Sequence, residues 1–180
     1  MIITIGGLPG AGSTTVVGAL AKKLNYRTVK VGELWRKVAA EEGISSAEVE
    51  KFWKEGAKDP AELKRLHNSL DRMQKDLARK NKNTIFNGKL SAFQIPWADL
   101  KVFLTAPLET RAERTAKREG ISKDRAARGI KEREDYERKE WKKIYGFDYV
   151  LDRSIYDLVI NTAHLDAKQT VKIIEMAVKG

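Results

Sequence analysis

Short apolar runs alternate with longer, mostly polar segments along the whole chain. The runs are three to five residues long and rich in β-branched side chains, which is typical of buried strands. They predict strands over Met1–Ile5, Thr28–Val31, Thr84–Phe86, Leu100–Leu104 and Asp157–Asn161. Because helical segments separate these strands, we expect them to pair in one parallel sheet.

Helical periodicity fills the intervening segments, with apolar residues three or four positions apart. It predicts helices over Thr14–Leu24, Glu33–Glu42, Ala47–Glu55, Ala61–Lys80, Leu108–Glu119, Ser122–Tyr145 and Asp166–Val178. Asp59 and Pro60 are residue types that start a helix, and Asp166 is a predicted N-cap. The pattern therefore predicts an α/β fold of three layers, with a five-stranded parallel sheet flanked by helices.

Composition excludes several classes of protein. The 180 residues, 42% apolar and 33% charged, suit one globular domain rather than a disordered chain. No apolar run approaches the ~20 residues of a membrane span, and the first residues lack a secretory signal, so we expect a cytoplasmic protein. Cysteine is absent, which excludes disulfides and a cysteine nucleophile. His67 and His164 are expected at the surface, so a histidine-based triad is not expected.

Charge is the unusual feature of the composition. Lysine and arginine number 35 against 25 acidic residues, a net charge of +10. Such an excess points to a phosphate-rich partner, which leaves a nucleotide and a nucleic acid as the two candidates. A heat-adapted source offers a third explanation, since such proteins are enriched in both lysine and glutamate.

A glycine-rich segment after the first strand carries the clearest chemical signal. Gly7–Thr14 matches the phosphate-binding pattern G-x-x-x-x-G-K-[ST], with Ser13 in place of the lysine. Backbone N–H groups of such a loop converge on phosphate oxygens, and the Thr14 hydroxyl is a predicted Mg²⁺ ligand. The predicted phosphate contacts are Gly7, Leu8, Pro9, Gly10, Ala11, Gly12, Ser13, Thr14 and Thr15. An ordinary strand-to-helix turn is the alternative.

Arginines cluster after the fourth strand and can replace the missing lysine charge. Seven of them fall on the two predicted helices there: Arg111, Arg114, Arg118, Arg125, Arg128, Arg133 and Arg138. Arginine recognises phosphate through two parallel hydrogen bonds, and a mobile arginine-rich flap can close on a transferring phosphoryl group. Interleaved acidic residues also permit a plain interpretation, in which these are solvated, ion-paired helices. Arg36 and Lys89 follow other strands at their carboxyl ends, where open α/β sheets bind ligands.

Several motifs resemble those of nucleoside monophosphate kinases, and of archaeal-type cytidylate kinases in particular. The resemblance covers nearly the whole chain, and a hydroxyl residue at the position of Ser13 is typical of that archaeal group. The segments that carry it are Ile5–Thr15, Gly32–Arg36, Asp71–Arg72, Ala106–Arg114, Arg118–Ser122, Lys131–Glu134, Tyr145–Asp148 and Ser154–Thr162.

The resemblance implies a P-loop NTPase fold with three parts in a single domain over residues 1–180. The core would comprise residues 1–31, 84–110 and 149–180. A helical monophosphate-binding flap would span about residues 32–83, and a helical lid would span about residues 111–148.

The resemblance also implies a reaction: ATP phosphorylates CMP or dCMP with Mg²⁺, in a monomer that needs neither a membrane nor a nucleic acid. The implied catalytic residues are Lys89, Arg114, Arg118 and Arg133. The implied monophosphate-binding residues are Arg36, Asp71, Arg72, Lys89, Arg133 and Arg138.

Three departures from the family pattern mark a divergent member. Asn87-Gly88-Lys89 replaces an acidic-Gly-Arg triplet, Met73 replaces a second arginine after Arg72, and Glu140 stands where a lid arginine is common. Two alternatives therefore stay open. One is a P-loop kinase of another small acceptor, such as AMP, UMP, shikimate or a sugar acid. The other is a catalytically inactive protein of the same fold that binds nucleic acid.

Overall fold

The computed structural model describes residues 1–45 and 60–179. The strands are β1 (Ile2–Gly7), β2 (Arg27–Lys30), β3 (Thr84–Asn87), β4 (Leu100–Thr105) and β5 (Leu158–Asn161). The helices are α1 (Ser13–Leu24), α2 (Val31–Glu41), α3 (Pro60–Lys80), α4 (Ser91–Gln94), α5 (Leu108–Glu119), α6 (Lys123–Tyr145) and α7 (Ala167–Lys179).

All five predicted strands are confirmed, as are the predicted helices within the described residues; the predicted helix Ala47–Glu55 and the predicted N-cap Asp59 lie outside them. The first strand is longer than the predicted Met1–Ile5, because Gly6 and Gly7 extend β1 and pair with β4. The four-residue helix α4 was not predicted, since it is too short to show a helical period.

The five strands form one parallel sheet in the order β2-β3-β1-β4-β5. All six residues of β1 are buried, as expected for a central strand covered on both faces. Alternate side chains of β1 reach opposite faces of the sheet. Ile3 and Ile5 pack in a cluster with residues of α1 and α7, whereas Ile2 packs in another cluster with Ala78 of α3. The three-layer α/β architecture expected from the sequence is therefore confirmed.

Two helical pairs lie beside this sheet and have small apolar clusters of their own. Trp35 and Val38 of α2 pack against Leu63 and Leu66 of α3. The pair α5–α6 packs through a separate cluster formed by Ala112, Ala126 and Ile130.

The ends of the helices follow the chemistry of their sequences. Asp166 Oδ1 accepts a hydrogen bond from Gln169 N (2.7 Å), and Gln169 Oε1 accepts one from Asp166 N (2.9 Å), so the predicted cap of α7 is confirmed as a reciprocal capping box.

Within residues 1–45 and 60–179, none of the helices combines the length and the apolar character that a bilayer span requires.

Candidate functional site

A cleft of about 1570 Å³ opens at the edge of the sheet where the strands end. One wall is the glycine-rich loop between β1 and α1, and the other walls come from α2, α3, the segment after β3 and the α5–α6 pair. Single small-molecule sites have volumes of roughly 300–1,000 Å³. The cleft therefore has room for two ligands of nucleotide size.

Two glycines give the loop its shape. Gly10 and Gly12 have φ angles of 81° and 96°, in the left-handed region that disfavours other residues. A Cβ at Gly10 would also lie 2.8 Å from the Arg111 carbonyl oxygen. Helix α1 begins directly after Gly12, so the first-turn N–H groups, which have no intrahelical acceptor, lie beside the cleft. This arrangement suits phosphate oxygens.

Arg111 holds the loop from outside the cleft. Its side chain is buried, with 6% exposed, and NH1 donates to the Pro9 carbonyl oxygen (3.1 Å). The same nitrogen donates to Glu134 Oε1 (2.7 Å), and Nε donates to the Ala106 carbonyl oxygen (2.8 Å). One guanidinium thus joins the loop, the end of β4 and helix α6.

Thr162, directly after β5, forms a second clamp on the loop. Its hydroxyl donates to the Ala11 carbonyl oxygen (3.0 Å). Arg114 NH1 donates to that hydroxyl (2.9 Å), and Arg114 NH2 donates to the Thr162 carbonyl oxygen (2.6 Å). Both clamps bind loop carbonyls, which leaves the opposite sides of the peptide groups available to a ligand.

Sequence reasoning placed Arg111 among the arginines that could supply charge to the phosphates, whereas the structure shows it buried behind the loop, and it assigned no role to Thr162. A signal for Thr162 was available, because it lies at the carboxyl end of a strand, as Lys89 does. Arg111 had no comparable signal: its spacing with Arg114 and Arg118 indicates a shared helix face, but its side chain is buried and theirs line the cleft.

The facing wall of the cleft comprises α3, the segment after β3 and α6. There, a fully buried carboxylate accepts hydrogen bonds from three donors. Glu137 of α6 accepts hydrogen bonds from Lys89 Nζ (2.6 Å to Oε1, with Oε2 also in contact), Arg133 Nε (2.9 Å) and the Tyr149 hydroxyl (2.7 Å). Burial lowers the pKa of the Lys89 amine to about 8, against the opposing effect of Glu137. Burial alone would raise the pKa of Glu137, but Lys89 and Arg133 outweigh it and keep that pKa low. Both charges therefore exist near neutral pH.

A buried relay of three hydrogen-bonded side chains lies further along the same wall. The Tyr145 hydroxyl donates its proton to Asp71 Oδ2 (2.8 Å). The hydroxyl oxygen therefore accepts a hydrogen bond from His67 Nδ1, which lies 2.9 Å away. Burial lowers the pKa of His67 to about 4 and raises that of Asp71 to about 6. The expected surface position of His67 is wrong: its residue is 5% exposed, and its ring packs against Trp35 of α2.

Most of the predicted site residues line this cleft. They are the nine loop residues from Gly7 to Thr15, together with Arg36, Asp71, Lys89, Arg114, Arg118 and Arg133. Arg118 is largely exposed there and pairs with the adjacent Glu119.

Arg72 and Arg138 do not belong to the cleft wall in this structure. Arg72 is exposed on α3, about 100° around the helix from Asp71. Arg138 forms a two-pronged ion pair with Asp148 (2.8 and 3.0 Å to Oδ2). It lies five positions after Arg133, which places the two about 140° apart around α6. Their predicted role in monophosphate binding stays a prediction.

Comparison with known proteins agrees with this geometry. The model of the cytidylate kinase-like family matches residues 2–164. A protein of Methanocaldococcus jannaschii named cytidylate kinase is 40% identical over 182 residues, which cover 99% of this chain and 97% of that protein. A protein of the same name from Methanopyrus kandleri is 39% identical and covers 99% of this chain and 93% of its own length.

The fold has a solved counterpart in shikimate kinase from Bacteroides thetaiotaomicron. The two structures superpose with a TM-score of 0.62 over 100% of this chain and 99% of that one, at 17% identity. Similarity at that level concerns the fold alone, and it agrees with the three-layer α/β fold expected from the sequence. The family model and the two archaeal relatives each match almost the whole chain. This chain therefore belongs to the cytidylate kinase-like family.

Proposed function

We propose that this protein is a cytidylate kinase, which transfers the γ-phosphoryl group of ATP to CMP or dCMP and releases ADP with CDP or dCDP. The observation that carries the proposal is the pairing, within one cleft, of a phosphate-binding loop with a facing set of cations. Relatives at about 40% identity that are named cytidylate kinases support the choice of acceptor.

In this proposal the loop binds the donor phosphates through its backbone. Catalysis of phosphoryl transfer rests on positioning and on stabilising charge, and needs no general base with a special pKa. Lys89, Arg118 and Arg133 line the cleft and would supply the charge that Ser13 lacks. Arg114 stays a predicted catalytic residue, although both of its terminal nitrogens bond to Thr162 in this structure.

The acceptor is proposed to lie along the facing wall. Arg36 would bind the phosphate of the monophosphate, together with Lys89. The Asp71 carboxylate, in the same cleft, would accept a hydrogen bond from the exocyclic amino group of cytosine, which is the kind of donor that carboxylates recognise on this base. The flap over about residues 32–83 and the lid over about 111–148 remain part of the proposal, as do a monomeric state and a cytoplasmic location.

Mg²⁺ is proposed as the cofactor, with Thr14 as its protein ligand. No group of three or more acidic or histidine side chains suitable for a metal occurs in residues 1–45 and 60–179. Mg²⁺ commonly keeps several waters and binds through one or two protein oxygens plus substrate phosphates. The Thr14 hydroxyl, exposed in the first turn of α1 beside the loop, fits that donor set. When bound, the ion would neutralise charge on the donor phosphates.

An acceptor panel tests the proposal. ADP formation from ATP and Mg²⁺ is followed with CMP, dCMP, UMP, AMP and shikimate as acceptors. We expect CMP or dCMP to give the highest kcat/KM, with UMP and AMP much poorer. A preference for AMP, UMP or shikimate would replace the proposed acceptor, and an absence of ADP formation with every acceptor would reject a kinase function.

A further inference from the structure

Two cations of the cleft share one carboxylate, which is buried in the cleft wall. The side chain of Glu137 is 1% exposed, whereas those of Lys89 and Arg133 are 17% and 52% exposed and line the cleft. The contacts cross the molecule: Lys89 follows β3 of the sheet, and Glu137 lies in the middle of α6. Because so little of its side chain is exposed, Glu137 acts on the cleft mainly through the side chains that it binds.

The position of the Lys89 amine is restricted on several sides. Its Nζ lies 5.9 Å from the ring centre of Trp141 and 5.5 Å from that of Tyr149. The Tyr149 hydroxyl donates to the same carboxylate (2.7 Å), so the acceptor is itself fixed. These contacts hold the amine at the cleft wall.

The charges of this network leave a surplus for a ligand. Lys89 and Arg133 are cationic and Glu137 is anionic, so these three side chains carry one net positive charge. Glu119 of α5 has an opposing influence on Arg133. Glu134 of α6 adds a weaker negative influence on Lys89, and it is engaged by Arg111. A lysine among aromatic rings without a partner carboxylate loses its proton readily, because burial disfavours the charged form.

We propose that Glu137 is a positioning residue of the phosphoryl-transfer site, which keeps Lys89 protonated and directs it, with Arg133, at the ligand phosphates. This inference rests on the proposed function. It also accounts for a departure in the sequence: Asn87 carries no charge, so the acid of the usual triplet is missing beside Lys89. A guanidinium stays charged without a partner, whereas burial lowers the pKa of an ammonium that has none. Lys89 and Glu137 are thus a matched pair.

The variant Glu137→Gln tests the proposal through the pH dependence of kcat/KM for CMP, which reports ionisations of the free enzyme. Loss of a contacting opposite charge shifts a pKa by about 1–3 units. We expect the alkaline limb of the variant to move to lower pH by that amount, and a shift of ~1.5 units to lower kcat/KM about eightfold at pH 7.5. The ratio of variant to wild type should approach one toward pH 5.5. Asp135→Asn is the matched control, an exposed carboxylate on the same helix outside the cleft wall.

A conservative rescue separates positioning from folding. In the double variant E137Q/K89R the guanidinium stays charged, so the alkaline limb should disappear and part of the activity at pH 8.5 should return. Thermal unfolding at each pH identifies variants that fail to fold. A ratio of Glu137→Gln to wild type that is constant across pH would overturn the proposal, as would a double variant no more active at pH 8.5 than Glu137→Gln alone.

NMR of lysine labelled with ¹⁵N at Nζ follows the ionisation of Lys89 without any substrate, with its signal assigned by its loss in K89R. We expect a midpoint near 8 in the wild type and a midpoint 1–3 units lower in Glu137→Gln. An unchanged midpoint would overturn the inference whatever the enzyme phosphorylates. A shifted midpoint in a protein that forms no ADP with any acceptor would instead overturn the proposed function.

Discussion

The two walls of the cleft hold their polar groups in different ways. The loop wall offers backbone N–H groups and the start of α1, and it is held in place through its carbonyls by Arg111 and Thr162. The facing wall offers side chains that titrate, among them Lys89 and Asp71. The positive potential of the first wall comes from peptide dipoles, whereas that of the second depends on protonation.

This difference explains which departures from the usual motifs the protein can accommodate. Ser13 removes a point charge from the loop wall, but the N–H groups and the helix end remain at every pH. On the facing wall, Lys89 replaces an arginine, so the positive charge there depends on pH. Glu137, which binds Lys89, keeps it protonated near neutral pH. The loop wall should therefore respond to geometric changes, and the facing wall to pH.

The largest expected effect comes from a change of shape on the loop wall. Gly10→Ala would place a Cβ 2.8 Å from the Arg111 carbonyl oxygen at a φ of 81°, so the loop must move. Misplacement of reacting groups by about 1 Å costs about 100-fold, and we expect kcat/KM to fall by at least that factor at all pH values.

Gly18→Ala is the control for Gly10→Ala. Gly18 lies inside α1, where a Cβ would meet no atom within 4 Å. That variant should keep its activity and gain about 0.5–1 kcal/mol in free energy of unfolding. Near-wild-type turnover of Gly10→Ala would contradict the structural assignment of the loop wall.

A smaller effect is expected from the buried relay of the facing wall. Asp71 has its pKa raised to about 6, so its contribution to stability is present below the unfolded value near 4 and is lost as pH rises to 6. His67 has its pKa lowered to about 4, so its contribution is present above 6.5 and is lost as pH falls to 4. The two slopes oppose each other in the wild type.

Asp71→Asn should reveal the slope of His67 alone. We expect the free energy of unfolding of this variant to rise between pH 4 and 6.5 by on the order of 2 kcal/mol more than that of the wild type. Denaturant unfolding at a series of pH values measures the difference. Parallel pH profiles for the two proteins would show that Asp71 does not titrate in this window.

The smallest predicted effect concerns the arginines of the acceptor side. Arg36 lines the cleft and Arg72 does not, although both were predicted to bind the monophosphate. Loss of one charge-assisted hydrogen bond costs about 1.5–3 kcal/mol, so Arg36→Ala should raise KM for CMP about tenfold or more with kcat less affected. Arg72→Ala should leave both parameters within about twofold. A larger effect at Arg72 would indicate that Arg72 itself contacts the acceptor, as the sequence predicted.

Predictions from the sequence succeeded where a local pattern carried the information. Alternation of apolar runs and helical periods gave the strands and helices to within a few residues. The spacing of Gly7, Gly10 and Gly12 indicated the tight loop between β1 and α1, whose binding of phosphate stays a prediction. Placement at strand ends correctly brought Lys89 and Arg36 to the cleft. The same reasoning misplaced His67, because helical periodicity does not say which side of a polar helix a second helix will cover.

The sequence by itself therefore determined the fold class, the loop and the edge of the sheet that holds the site, since each follows from residues close together in the chain. Only the tertiary structure decided which charges act together. Lys89 and Glu137 are 48 residues apart, and Asp71 and Tyr145 are 74 apart. Their pairing depends on how α3 and α6 pack beside the sheet. Burial at those contacts shifts the pKa values, and no local pattern encodes it.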